Sequence, residues 1–237
     1  MNNDSNSMNN DNDLGTRRSS VWIWWVALAL VVVGVIGIAM WPVDHIAKGS
    51  SRREFTLETD FDKFRQIMVR KNATEAFVTH SGMKLLDEKV EEASIDIPQQ
   101  ERPILKALFG KAEADVSAKK QITVSVNDPG IGVDKLTLNQ NAEIKPDVID
   151  VHSEATEPVG NLQSYSTRLN ASKIEAGTKV KLSIDQTIRV RVPRFFVAEA
   201  DRRVQKAADE STAEQERALG EFIAKYENDA IVVPELR

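Results

Sequence analysis

Hydrophobic and polar positions alternate with different periods along this chain, and the period marks off its parts. Val21 to Trp41 is one uncharged apolar run. At about 21 residues and roughly 31 Å as a helix it matches the hydrocarbon core of a bilayer, so it predicts one N-terminal transmembrane helix. Phe61, Phe64, Ile67 and Met68 then recur at helical spacing behind Thr59 or Asp60, either of which can cap a helix. Just before them Glu54 to Glu58 reads as a first strand. Asn72 to His80 carries no clear period.

From Lys84 the period falls to two. Ala93, Ile95 and Ile97 alternate with polar residues up to Pro98, which predicts a strand with one wet face. Gln99 to Gly110, with Pro103 early and a glycine at its end, predicts a short helix inserted between strands. Alternation then resumes in Val116 to Val126, Leu136 to Ile144, Ile149 to Ala155, Leu162 to Leu169 and Val180 to Val192. These stretches are separated by turn chemistry such as Asn127-Asp-Pro-Gly130, Pro158-Val-Gly-Asn161 and Ala176-Gly177. That spacing predicts an antiparallel sheet of six or seven strands with one buried face.

Pro193 ends the sheet, and a long helix is expected over Arg194 to Asn228. Phe196, Ala200, Val204, Ala207, Ser211, Ala218 or Leu219, Phe222 and Tyr226 form its apolar stripe. The sheet offers the large apolar face that this stripe requires, so the predicted fold is α+β, with one long C-terminal helix lying across a curved antiparallel sheet. Alanines at 198, 200, 207 and 208 permit either close helix–sheet approach or a cavity.

Four segments follow from this reading: a polar tail at 1–20, the span at 21–41, a juxtamembrane linker at 42–52 and a single folded domain at 53–237. The tail is Asn, Asp and Ser with almost nothing apolar, too little to offset chain entropy. A cleaved secretory signal is the competing reading of the span. Its length, and an acidic tail whose only basic residues are Arg17 and Arg18, argue against that. Trp22, Trp24, Trp25 and Trp41 sit near the two ends of the span, where indole rings favour the headgroup boundary. Flanking basic residues are nearly balanced, and the short tail favours an extracytoplasmic domain.

Composition narrows the chemistry. The chain has no cysteine, so disulfides and thiolate sites are excluded, and its net charge of -5 with interspersed signs sets nucleic acid aside as a partner. His45, His80 and His152 lack metal-ligand spacing, so neither a metal nor another cofactor is expected. His152 is expected to face solvent. Gly130-Ile-Gly132 reads as a turn, and Glu88, Glu91 and Glu92 as a solvated face. Arg189, Arg191, Arg194, Arg202 and Arg203 fit the wet face of a strand and a helix start, the other reading being contact with anionic headgroups. Asn72-Ala-Thr74 and Asn170-Ala-Ser172 match the N-glycosylation pattern, which matters only on a eukaryotic secretory route.

The opening Phe55 to Met68, the ending Gly177-Thr-Lys-Val-Lys-Leu-Ser-Ile184 through Pro193, and the helix from Arg194 together resemble the helix-grip fold of the START-like (SRPBCC) superfamily, which includes polyketide cyclase-like and lipid-transfer proteins. The inserted helix and the anchor depart from its simplest members. The resemblance implies a pocket between sheet and C-terminal helix for a lipid or other small apolar ligand, and the expected role is binding without catalysis. Tyr165 and Arg168, on opposite faces of one strand, are the candidates to orient such a ligand, and Phe196, Ala200 and Val204 are the candidates to line the pocket from the helix. Two alternatives stand beside this: a membrane-tethered protein-interaction module with a closed core and no named partner, and an enzyme of the cyclase or hydrolase kind.

Overall fold

The structure, a computed structural model, describes residues 28–35, 37, 40–70, 73–74, 78, 84–96, 115–126 and 134–228. The polar tail, Trp22, Trp24, Trp25, part of the span, His80, the expected helix Gln99 to Gly110 and the expected turns at Asn127 to Gly132 lie outside those residues. Contacts divide the chain into two compact units, one holding residues up to Val43 with Pro193–Phe195, the other Asp44–Val192 with the residues from Phe196 on. In the first unit Leu28–Val35 is helical, and its Leu28, Val31, Val33 and Val35 are all exposed. Among the described residues no helix is long and apolar enough to cross a membrane.

The main unit is built on seven strands: β1 (Pro42–Leu57), β2 (Lys84–Asp96), β3 (Asp115–Ser125), β4 (Lys135–Ile144), β5 (Val148–Ala155), β6 (Leu162–Ile174) and β7 (Gly177–Pro193). They form one sheet in the order β1-β7-β6-β5-β4-β3-β2. From β2 to β7 each strand pairs antiparallel with the next, the meander its alternation predicts. Gly177, at φ 132°, turns β6 into β7, and a Cβ there would stand 2.2 Å from the Leu57 carbonyl oxygen. Only glycine fits.

Among the described residues two long helices cover the inner face. Helix α1 (Phe61–Arg70) begins at Asp60, whose carboxylate accepts from the Asp62 N–H at 2.8 Å, and it buries Phe61, Phe64 and Ile67 completely. Helix α2 (Val197–Glu227) buries Leu219, Phe222 and Ile223 against the same core, which Ile149, Ala171, Val180 and Leu182 complete from the sheet. Each such large side chain contributes about 1.5–3 kcal/mol by leaving water. A second cluster, with Ile122, Val124, Leu136, Leu138 and Leu162, fills the other end of the inner face.

Residues 42–52, expected as a flexible linker, form the first part of β1 instead. Their inward positions are Ala47, Gly49 and Ser51, side chains too small to register as an apolar stripe but suited to a helix pressed close. A Cβ on Gly49 would lie 2.5 Å from the Val204 carbonyl oxygen. Along this edge His45 meets Asp201 at 2.7 Å, the Gln205 amide exchanges hydrogen bonds with the Ser50 backbone, Arg53 reaches Glu216 at 2.9 Å and the Thr59 hydroxyl donates to Glu227 at 2.8 Å. Helix α2 is thus strapped along β1 from end to end.

The C-terminal helix also starts later than its pattern suggested. Arg194–Phe196 is a 3-10 turn, and the α-helix proper begins at Val197. The buried stripe accordingly runs Val204, Ala208, Thr212, Gln215, Ala218, Leu219, Phe222 and Ile223. Ala208 replaces Ala207 as the inward alanine, because Thr212 buries its hydroxyl by donating to the Ala208 carbonyl at 2.8 Å and so passes as a core residue.

Candidate functional site

The alternation of β3 to β6 places one inward side chain every second residue, and the antiparallel register lines those side chains up in rows across the sheet. One row is Ala93, Ala118, Ala142, Val151 and Leu169, each the cross-strand partner of the next. Alanines on three neighbouring strands leave the inner face hollow there. The result is a cavity of about 390 Å³ under the helices, reached by Met68 from α1 and Gln215 from α2. Its volume falls within the roughly 300–1,000 Å³ usual for small-molecule sites. Val90, which lines the cavity from β2, is 61% exposed.

The adjacent row is polar. Lys120, Gln140, Ser153 and Thr167 are successive register partners on β3, β4, β5 and β6, all turned inward and all lining the cavity. They are joined by hydrogen bonds. The Lys120 ammonium donates to Glu88 Oε1 at 2.7 Å and to Thr74 Oγ1 at 2.5 Å, the Thr74 hydroxyl donates to Gln140 Oε1 at 3.3 Å, and Gln140 Nε2 donates to Ser153 Oγ at 3.0 Å. The Lys120 and Glu88 side chains retain only 18% and 27% of their accessibility. A paired ammonium and carboxylate in an apolar hollow satisfy one another and leave the cavity without net charge from this pair.

Tyr165 lines the same cavity from β6, and desolvation pushes its hydroxyl up to about 12, so the phenol stays neutral. Arg168, three residues on, points to the opposite face. There its guanidinium holds both oxygens of Asp150, through Nε at 2.8 Å and Nη2 at 2.5 Å, and keeps that carboxyl below its ordinary range. Of the two polar candidates, Tyr165 is therefore at the cavity and Arg168 is not.

The helix candidates are likewise displaced from the cavity wall. Phe196 is exposed in the 3-10 turn, Ala200 is half-buried, and Val204 is buried in the helix–sheet contact, where its carbonyl accepts from Gln186 at 3.0 Å. Neither Phe196, Ala200 nor Val204 lines the hollow; Gln215, about three turns beyond Val204, does. Trp41, immediately before β1, is 72% exposed. Glu88, expected on a solvated face, turns inward because the register irregularity in β2 between Val90 and Glu92 puts Glu88 opposite Ile122 on the inner side and Glu92 opposite Lys119 on the outer. His152 faces outward, 39% accessible, with Glu154 at 3.6 Å. Among the described residues no three of His, Asp and Glu converge as a metal site.

Lys120, Gln140 and Ser153 were readable in principle. Each interrupts an inward apolar series at a position that alternation assigns to the core, between Ala118 and Ile122, Leu138 and Ala142, and Val151 and Ala155. Thr74 carries no such signal, since it comes from outside the sheet.

No protein-family model matches the chain, and no curated protein matches it. Solved structures do resemble it. An aromatase/cyclase from a Streptomyces species is 12% identical over 78% of this chain and 98% of its own, with a TM-score of 0.41. A START superfamily protein from Mycobacterium smegmatis is 12% identical over 75% and 97%, at 0.39. A STAR-related lipid transfer protein from Xanthomonas axonopodis is 12% identical over 74% and 85%, at 0.41. The observed order, one strand and a helix, a six-strand meander, then a long helix lying across the sheet, is a helix-grip arrangement.

Proposed function

We propose that this domain binds a lipid or other small, largely apolar ligand in the cavity beneath α2, held at a membrane by the apolar run 21–41. The cavity carries the proposal: about 390 Å³, walled by Val116, Ile144, Val151, Leu169 and Leu182, with Val90 of β2 also in its lining. A closed interaction module would have filled that space with larger side chains at Ala93, Ala118 and Ala142. The ionisable groups at the cavity, Glu88 and Lys120, neutralise each other, which favours binding over acid–base chemistry. Tethering is supported by the uncharged run itself and by the exposed apolar helix Leu28–Val35, and the short polar tail favours an extracytoplasmic domain.

Residues 42–237, which keep all of β1, are to be purified without detergent and weighed by native mass spectrometry before and after solvent extraction. A co-purifying apolar molecule lost on extraction is the expected result. Ala118→Phe, which fills the hollow, should remove that adduct while the protein remains folded. A bare mass in the natural sequence, with cavity-filling substitutions raising stability, would favour the interaction module. A bound molecule that changes mass on incubation would favour the cyclase-like reading. For the tether, deleting 21–41 should move the chain from the membrane fraction to the supernatant.

A further inference from the structure

We infer that the ligand is a neutral amphiphile whose hydroxyl or carbonyl oxygen sits at the polar row Lys120, Gln140, Ser153 and Thr167, with its apolar body along the alanine row beside it. This rests on the ligand-binding reading above and adds the chemistry of the head and its position.

The two rows are adjacent across the same strands, so one end of a bound molecule meets hydrogen-bonding groups while the rest meets Ala118, Ala142, Val151 and Leu169. A ligand with no polar atom would bury the row against hydrocarbon and leave its remaining hydrogen-bonding capacity unused. That capacity leans towards donors. Lys120 has three N–H groups, two of them engaged by Glu88 and Thr74, and Gln140 Nε2 has two, one of them given to Ser153. The Thr167 and Tyr165 hydroxyls line the same space with no hydrogen-bond partner among the described residues. An acceptor oxygen, as in an alcohol, ketone or ester, fits these groups.

Charge decides between a neutral head and an ionic one. Lys120 and Glu88 already cancel at 2.7 Å, with most of their surface removed from water. A carboxylate head would have to displace Glu88 from Lys120 and leave one of two anions unpaired in the hollow. An ammonium head would do the same to Lys120. A neutral head disturbs neither.

The test uses the full chain in phosphatidylcholine liposomes and two photoreactive probes of equal length, a diazirine-bearing long-chain alcohol and the matching carboxylic acid, at a pH where the acid is ionised. Label on peptides from β3 to β6 is normalised to label on segment 21–41, which cancels unequal partitioning. The natural sequence is expected to take the alcohol over the acid by about tenfold, the ratio for one lost charge-compensated contact. Glu88→Gln, which frees the Lys120 charge, should reverse the preference. The double variant Glu88→Gln with Lys120→Gln should restore it. Equal labelling by both probes, or a preference that Glu88→Gln does not move, would overturn the inference and leave ligand binding standing. If Glu88→Gln does not fold, Gln140→Leu serves instead: it should lower alcohol labelling about tenfold without raising acid labelling, and unchanged labelling would count against the row. Label from neither probe on β3 to β6 would remove the binding reading itself, and this inference with it.

Discussion

Glu88–Lys120 and Asp150–Arg168 are two ion pairs on one sheet, separated by a single reversal of side-chain direction. Both join neighbouring regions of the meander, and both have contacts of 2.5–2.8 Å. The two carboxylates are alike, Asp150 keeping 24% of its accessibility and Glu88 27%, but the outer cation Arg168 keeps 58% where the inner cation Lys120 keeps 18%. Outside, water solvates the Arg168 guanidinium whether or not its partner is present, so the pair adds little to stability. Inside, each charge depends on the other. The lesson is that the same residue types, at the same alternation, serve solubility on one face and define a ligand site on the other.

The largest expected effect breaks the inner pair. Lys120→Met should destabilise the fold by about 3 kcal/mol, read as a lower urea midpoint, because it strands the Glu88 carboxylate in the hollow. Adding Glu88→Leu should return most of that loss. If Lys120→Met proves neutral, the inner face is wetter than its accessibility implies.

The next effect concerns Tyr165. Its folded phenol is raised from 10.0 to about 12 by desolvation, so the unfolded chain ionises first as pH rises. Stability linked to this group is fully present below pH 10 and is lost as pH climbs through about 12, by roughly 2–3 kcal/mol, two pH units at about 1.4 kcal/mol each being the upper bound. Denaturant titrations at stepped alkaline pH should show that loss in the natural sequence and a shallower one in Tyr165→Phe.

On the outer face the effects shrink. Arg168→Ala should cost under about 1 kcal/mol, and less still in about 1 M salt. Asp150 is held below its ordinary 3.8, first by the hydrogen bond from Arg168. Its contribution is therefore present above that value and disappears as pH falls through the depressed one, so the natural sequence and Asp150→Asn should converge in strong acid. Smallest is His152→Ala, expected to stay within about 0.5 kcal/mol by the same urea measurement, since the ring is largely on the wet face. An outer-face variant as costly as Lys120→Met would erase the distinction between the two faces.

Much of this architecture was legible in one dimension. Strict alternation identified β3 to β7 and their buried face, helical spacing identified Phe61, Phe64 and Ile67, and the long final stripe identified the covering helix; each depends on local periodicity that the backbone geometry enforces. Other features were legible only where side chains advertise themselves by bulk. The first part of β1 escaped because its inward residues, Ala47, Gly49 and Ser51, are small, and the phase of α2 slipped because Thr212 and Gln215 are buried polar residues.

The cavity belongs to the tertiary level. Alternation shows that Ala93, Ala118 and Ala142 face inward, but that they are neighbours depends on cross-strand register, set by turns and bulges far from each of them. The polar row depends on the same register, and the Glu88–Lys120 pair on an irregularity in β2 that shifts which residues face in. Period along a strand is a property of the chain, and therefore of the sequence; adjacency across strands is a property of the fold. The hollow, the polar row beside it and the choice of Tyr165 over Arg168 as the residue that meets the hollow were decided only when the strands came together.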